Sequence, residues 1–279
     1  MGAGWTMMAE LPDCKTLLLR RDGSRLHITL NRPETKNALS GEVVRELLKV
    51  VEFLEGATDV GAVVLRGAGG TFCAGGDIKG FMAQFNSPPS EPGEKDPVAV
   101  QNRRFGAFLA RFDSLPQTTV VVIEGAAFGG GLGLASIGDV AICMADARFA
   151  MSETGLGIVP AQIAPFVAAR VGVSQARRLA LTGERFDGRE AWQIGLVHHL
   201  CEDRSALEAT LLRVLGEIGR CAPGANAATK RLLLASRTTP LDQLLDQAAD
   251  AFATALRGAE GREGVTAFLE KRPAAWVDK

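Results

Sequence analysis

Residues 118–135 read TTVVVIEGAAFGGGLGLA, an apolar β-branched run that passes directly into a glycine-rich turn. Thr118–Ile123 is typical of a strand buried on both faces, and the residues after the glycine triplet open a helix. Earlier in the chain Gly61–Arg66 is a second buried run, followed by GAGGTFCAGGDIKGF at 67–81. Two strand-to-turn junctions of this kind, with helices dominating the last third of the sequence, predict an α/β fold.

The remaining elements follow from turn signals and periodicity. Asp22-Gly23 predicts a hairpin between strands Thr16–Arg20 and Leu26–Leu30, and Ser40 caps a predicted helix through Leu54. Ser205 and Glu208 form a candidate capping box for a helix reaching Ile218. Further strands are predicted at Asp139–Met144 and Arg148–Met151, and further helices at Val98–Leu115, Gln175–Leu181, Arg189–Gln193, Ala225–Ser236, Leu241–Arg257 and Arg262–Lys271.

Composition excludes several functional classes. The chain has 279 residues and a formal net charge of −1, without a concentrated basic face, so we expect no nucleic-acid partner. The most apolar long stretch, Thr118–Met144, contains Glu124 and Asp139 and many glycines, so we expect no membrane span. The 5 cysteines form no C-x-x-C pair, which predicts no metal site and favours reduced thiols in the cytoplasm.

The two glycine-rich turns predict an anion site. Backbone N–H groups at a helix start have no partner within the helix, and the helix dipole adds partial positive charge there. Two such turns facing one pocket would hold an oxyanion. The alternative is that these glycines serve only turns and packing. Neither turn matches a phosphate loop or a complete dinucleotide fingerprint.

Glu153 is the candidate acid or base. It follows the strand Arg148–Met151 in the largely apolar stretch AMSETGLGIVP. Burial there would raise the pKa of its carboxyl group and suit it to proton transfer near neutral pH. The alternative for a lone glutamate in a loop is solvation or helix capping.

Four segments in order resemble the enoyl-CoA hydratase/isomerase (crotonase) family. They are LNRPETKNALS at 30–40, GGTFCAGGDIKGF at 69–81, EGAAFGGGLGLASIGDVAIC at 124–143 and FLEKRPAAW at 268–276. The resemblance implies a crotonase (ClpP-like) spiral of ββα units, with a core domain at 1–205 and a C-terminal helical trimerisation region at 206–279. It also implies a homotrimer or a dimer of trimers and an acyl-CoA thioester substrate, with no separate cofactor.

The resemblance also assigns site residues by position. The two oxyanion N–H groups fall on Gly76 and Gly130, and the later of the family's two hydratase glutamates falls on Glu153. The residues expected to contact the coenzyme A substrate are Lys36, Ala38, Asp77, Ile78, Lys79, Phe268 and Lys271, the last two often from a neighbouring subunit.

The chain departs from the family pattern at Gly133, where hydratases usually carry their earlier glutamate. With Glu153 as the one protein acid and base, the chain is either a hydratase or a Δ3-Δ2-enoyl-CoA isomerase; a non-catalytic acyl-CoA-binding protein is the alternative from another class. A second water could stand where the missing carboxylate would be.

The stretch SETGLGIVPAQIAPFVAARVG at 152–172 resembles the hydratase branch that acts on 3-methylglutaconyl-CoA or isohexenylglutaconyl-CoA, in leucine or acyclic terpene catabolism. The insertion Asn86–Pro97 would suit a bulky acyl tail, and Arg103 and Arg104 are candidates to meet the distal carboxylate of such a substrate.

Overall fold

A computed structural model describes residues 10–77, 80, 82 and 93–277. It confirms the predicted hairpin: β1 (Leu17–Asp22) pairs antiparallel with β2 (Arg25–Leu30), and Asp22 lies opposite Arg25. Gly23 in the turn has a φ of 57°, a value that glycine adopts without steric cost.

The central sheet contains six strands in the order β1-β2-β3-β4-β6-β9. Its other members are β3 (Ala62–Gly67), β4 (Thr118–Ile123), β6 (Val140–Met144) and β9 (His199–Cys201). From β2 onward every pairing is parallel, so the carboxyl ends of β3 and β4 meet at one edge of the sheet. Both glycine-rich turns leave the sheet at that edge.

A second sheet of three short strands begins shortly after β4. It has the order β5-β7-β8, formed by β5 (Ala126–Phe128), β7 (Arg148–Ala150) and β8 (Arg185–Asp187). β5 and β7 are parallel, with Phe128 opposite Ala150. The segments that follow β5 and β7 therefore begin side by side.

Helices cover both sheets and form the last part of the chain. They are α1 (Gly41–Gly56), α2 (Pro97–Asp113), α3 (Gly130–Ser136), α4 (Ala164–Thr182), α5 (Gly188–Gln193), α6 (Arg204–Gly219), α7 (Pro223–Ala235), α8 (Leu241–Arg257) and α9 (Ala259–Leu269). The α1 cap is confirmed, because the Ser40 side chain accepts a hydrogen bond from Val43 N.

Two predictions about helix starts are wrong. The capping residue of α6 is Asp203, whose carboxylate accepts from Ala206 N at 2.8 Å, so Ser205 and Glu208 form no capping box. Glu208 instead pairs with Arg66, 2.6 Å away. Helix α4 begins at Ala164 rather than near Gln175, and it continues across a kink at Gly172, where φ is 77°.

Polar contacts hold the C-terminal helices to one another and to the rest of the chain. Lys230 Nζ on α7 lies 2.8 Å from an oxygen of Asp139, and the Glu260 carboxylate on α9 accepts hydrogen bonds from Gly224 N and Ala225 N at the start of α7. Among the residues that the structure describes, no helix is long and apolar enough to cross a membrane.

Candidate active site

The two glycine-rich turns run side by side. Cys73 N donates to Ala126 O at 2.8 Å, and Phe128 N donates to Cys73 O at 3.0 Å. A β-carbon at Gly75 would lie 2.8 Å from Phe128 O, and one at Gly131 would collide with Cys73 O. The backbones of the two turns can approach this closely because these positions are glycine.

Gly76 presents its N–H away from its neighbouring segment. Leu39 N donates to Gly75 O at 2.8 Å, and Asp77 N donates to Leu39 O at 3.2 Å, so Leu39 uses the peptide groups on either side of Gly76. In a trans peptide group the N–H points opposite to the C=O. Because Gly75 O faces Leu39, the Gly76 N–H of the same peptide group faces the other side. No acceptor for this N–H is found among the described residues.

Gly130 is the first residue of α3, and its N–H also has no acceptor in the described part of the chain. The preceding Gly129 has φ 49° and ψ −116° and donates to Ala150 O at 2.9 Å, which fixes the entry of the helix. The first N–H groups of a helix have no intrahelical partner. The helix dipole makes this N–H a better donor to a negative oxygen.

Glu153 lies against the second turn. It follows β7 and opens a short 3₁₀ helix, Glu153–Leu156. A β-carbon at Gly129 would lie 2.8 Å from Glu153 Oε1, so the carboxyl group packs directly on the residue before Gly130. The structure therefore brings Glu153 and the Gly130 turn together.

The Glu153 carboxyl group is buried at one oxygen. Oε2 has no hydrogen-bond partner among the described residues. Burial raises the pKa of this carboxyl group, an effect that a backbone hydrogen bond only partly opposes. A carboxyl group with a raised pKa next to a helix N-terminus can take a proton and return it.

The space beside the β-carbon position of Gly133 is filled by apolar side chains. A β-carbon at Gly133 would lie 2.9 Å from the β-carbon of Ile163 and still closer to its γ2 methyl group, with Leu109 Cδ1 at 3.8 Å. Ile163 and Leu109 are both buried. Apolar packing, rather than solvent, occupies the place toward which a side chain at 133 would point.

The loop expected to contact coenzyme A lies beside the first turn. Lys36 has φ 51° and an exposed side chain, and its carbonyl accepts from Ala74 N at 2.9 Å. The carbonyl of Ala38 accepts from Arg32 Nη1 at 2.8 Å. Arg32 also pairs with Asp77 at 3.5 Å, so part of the Asp77 charge is engaged within the protein.

Asn37 fixes this loop, although no sequence pattern described above points to it. Its amide nitrogen donates to Ala68 O at 2.9 Å and to Thr71 O at 2.6 Å, and its amide oxygen accepts from Arg32 N at 2.9 Å. It is buried and has φ 57°, a region that asparagine tolerates better than most residues. An asparagine inside a proline-containing loop is the signal that could have found it.

Other predicted contact residues are not joined to the site by the described contacts. Ile78 and Lys79 lie outside the described residues, as does most of the insertion Asn86–Pro97. Phe268 on α9 is 82% exposed, and Lys271 just beyond it is exposed as well. No group of His, Cys, Asp and Glu in the described part of the chain could hold a metal ion.

The sequence profile described as enoyl-CoA hydratase/isomerase matches residues 20–279 of this chain. The chain belongs to the enoyl-CoA hydratase/isomerase family. Among solved structures it is similar to Pseudomonas aeruginosa AtuE, with 51% identity, a TM-score of 0.90, and coverage of 95% of this chain and 100% of that one. The architecture is accordingly the crotonase fold.

Curated relatives carry the names of different reactions. The enoyl-CoA hydratase ACTT6 of Alternaria alternata is 34% identical over 90% of this chain and 80% of its own length. The peroxisomal Δ(3,5)-Δ(2,4)-dienoyl-CoA isomerase of Arabidopsis thaliana is 32% identical over 92% of this chain and 95% of its own. Family membership therefore does not separate hydration from isomerisation in this chain.

The first prediction concerns the burial of Glu153. Because its pKa is raised in the folded protein, the folded state holds this proton more tightly than the unfolded state does. The stability that this group contributes is present at low pH and is lost as pH rises through its folded pKa. Glu153→Gln should therefore raise the free energy of unfolding at pH 8 relative to wild type. Urea unfolding at pH 8 and pH 4 measures this; an equal effect at both would contradict the burial.

The second prediction concerns the fit between Gly133 and Ile163. Gly133→Ala should destabilise the fold by about 1–3 kcal/mol because the new methyl group meets Ile163 in a packed core. The loss should be smaller in an Ile163→Ala background, since the γ2 methyl group is then absent. Gly155→Ala is the control, because a β-carbon there has nothing within 4 Å and should change stability by less than about 0.5 kcal/mol. Equal losses at 133 and 155 would show that the notch is not tight.

Proposed function

We propose that this protein adds water to a 2-enoyl-CoA thioester to form the 3-hydroxyacyl-CoA. The observation that supports this is one buried carboxyl group, Glu153, packed against the turn that ends in the free N–H of Gly130. The thioester oxygen would bind between the N–H groups of Gly76 and Gly130. Coenzyme A belongs to the substrate, and we propose no further cofactor.

In the proposed reaction Glu153 carries every proton. It takes a proton from water as the oxygen bonds to the β-carbon of the substrate. The electron pair of the double bond moves toward the thioester oxygen, where the two N–H groups stabilise the negative charge. Glu153 then gives its proton to the α-carbon, so atoms and charge balance without a second acid.

The acyl group that we propose is a branched glutaconyl unit, either 3-methylglutaconyl or isohexenylglutaconyl, in leucine or acyclic terpene catabolism. Support comes from the resemblance of residues 152–172 to that branch. Arg103 and Arg104 are exposed on α2, close in sequence to Phe105, whose ring lies 3.5 Å from the β-carbon position of Gly130. Either guanidinium is a candidate for the distal carboxylate of the substrate.

Isomerisation is the second candidate, and the same lone carboxyl group favours it. Moving a β,γ double bond into conjugation needs one base that removes a proton at one carbon and returns it at another, together with an oxyanion site. A non-catalytic role fits less well, because a carboxyl group with one buried oxygen that lacks a hydrogen-bond partner in the described residues lowers stability when it is ionised.

We further propose that residues 206–279 form the oligomerisation region of a homotrimer or a dimer of trimers. Apolar side chains stand exposed along α8 and α9: Leu241 is 68% exposed, Leu245 56%, Phe252 69%, Phe268 82% and Leu269 74%. An apolar surface built from these side chains would serve as an interaction site. A neighbouring subunit seated there would bring Phe268 and Lys271 to an active site other than their own.

The third prediction tests the reaction. Incubation with 3-methylglutaconyl-CoA should yield a product heavier by one water, whereas an isomerase would leave the mass unchanged. Gly130→Pro removes the N–H at a helix position that accepts proline and should lower kcat by about 10²–10³-fold.

Gly130→Ala is the matched control, because it adds a similar β-carbon beside Leu39 and Phe105 but keeps the N–H. If both variants fold and lose the same activity, the N–H is not the stabilising group. If neither mass change nor isomerisation is found with any glutaconyl or simple enoyl ester, the proposed function fails.

The fourth prediction tests the assembly. Sedimentation equilibrium should give three or six times the chain mass of 29.5 kDa. Phe268→Glu should shift the protein toward the monomer because it places a charge in the buried contact. Leu18→Glu, at a residue on β1 that is 55% exposed, is the control and should leave the mass unchanged. A monomeric wild-type protein at micromolar concentration would contradict the assembly.

A further inference from the structure

Residues 160–164, which follow the Glu153 loop, are held against two helices. Ala164 N donates to Pro160 O at 3.0 Å, and Ala161 N donates to Val159 O at 2.8 Å. These bonds tighten the chain into a compact turn just before α4. The turn presents two consecutive side chains, Gln162 and Ile163, to its surroundings.

Each of these side chains lies in a notch made by a glycine. Ile163 occupies the β-carbon position of Gly133 on α3. Gln162 occupies that of Gly106 on α2: its Cδ would lie 2.8 Å from a β-carbon at 106 and its Cβ 3.3 Å, with Oε1 closer still. Gly106 is buried, so the carboxamide packs directly on the helix backbone.

The Gly106 notch adjoins the oxyanion turn. Phe105, the preceding residue on α2, has its ring 3.5 Å from the β-carbon position of Gly130. Leu109, one turn further along α2, reaches the β-carbon position of Gly133. Phe105 and Leu109 on α2 therefore contact α3 at both glycines, and the Gln162 carboxamide contacts α2 at Gly106, next to Phe105.

The side chains around these two notches differ in polarity. Ile163, Leu109 and Phe105 are apolar and cannot orient a water molecule. The Gln162 carboxamide both donates and accepts hydrogen bonds, and it has no hydrogen-bond partner among the described residues. It is half-buried rather than fully solvated, and the Gly106 backbone that it contacts adjoins Phe105 at the Gly130 turn.

We propose that Gln162 is a positioning residue that orients the water added to the substrate. No carboxylate can do this from position 133, because that residue is glycine. This inference rests on the proposed hydration. Glu153 remains the group that takes the proton, and Gln162 holds the water oxygen toward the β-carbon. Removing the amide should slow water addition without impairing enolate formation.

The experiment compares two reactions in the same variants. The first is hydration of 3-methylglutaconyl-CoA. The second is exchange of the α-hydrogen of 3-methylglutaryl-CoA with deuterium in D₂O, which needs Glu153 and the two N–H groups but no attacking water. Gln162→Leu should lower kcat for hydration by about 10–100-fold, the range expected for loss of one hydrogen bond to a reacting group, while KM and exchange change less than about 2-fold.

Gln162→Glu is the rescue variant, because it keeps the shape and an acceptor oxygen and should restore hydration to within about 5-fold of wild type. The inference is overturned if Gln162→Leu hydrates at the wild-type rate, if hydration and exchange fall together, or if the glutamate variant is as slow as the leucine variant. A wild-type protein that exchanges but never hydrates would instead remove the proposed function on which the inference rests.

Discussion

The close approach of two backbone segments is the constraint on which the site depends. Parallel pairing of β3 with β4 brings their carboxyl ends to one edge of the sheet, and hydrogen bonds between Cys73 and the Ala126–Phe128 strand hold the two exits together. At this separation a β-carbon at Gly75 or Gly131 would meet backbone oxygen. Glycine at these positions therefore does more than form turns, since it lets the two turns pack backbone against backbone.

Parallel pairing in the second sheet positions the Glu153 carboxyl group in a similar way. β5 and β7 are parallel, so the segments after Phe128 and Ala150 start side by side, and Gly129 N bonds to Ala150 O. This register places Glu153 on the Gly129 backbone, where burial raises the pKa of its carboxyl group. The Gly130 turn and the Glu153 carboxyl group are thus neighbours because of backbone pairing, rather than through flexible side chains.

The sequence predicts the elements that carry strong local signals. Thr118–Ile123 and Leu241–Arg257 have the predicted bounds, and the raised pKa of Glu153 follows from its apolar surroundings. The short strands β5, β8 and β9 were not predicted, because a strand of three residues is defined by its partners and carries almost no pattern of its own. The cap at Asp203 was missed because S-x-x-E at Ser205 and Glu208 fits the same signal, and only the tertiary pairing of Glu208 with Arg66 decides between them. Likewise no local pattern could reveal that Ile163 fills the space beside Gly133, since the contact joins distant segments.

The contact between Ile163 and Gly133 means that packing, as well as the residue type at position 133, opposes a carboxyl group there. A glutamate placed there would have to displace the β-carbon of Ile163, and with it the turn that leads from Glu153 into α4. A second carboxyl group at position 133 would therefore require changes in both segments. Under the proposed hydration, a single carboxyl group that takes a proton from water and returns it to the α-carbon must reach both atoms from one side. The oxygen and the hydrogen would then add to the same face of the double bond, because Glu153 is held on one side of the cleft by its contact with Gly129.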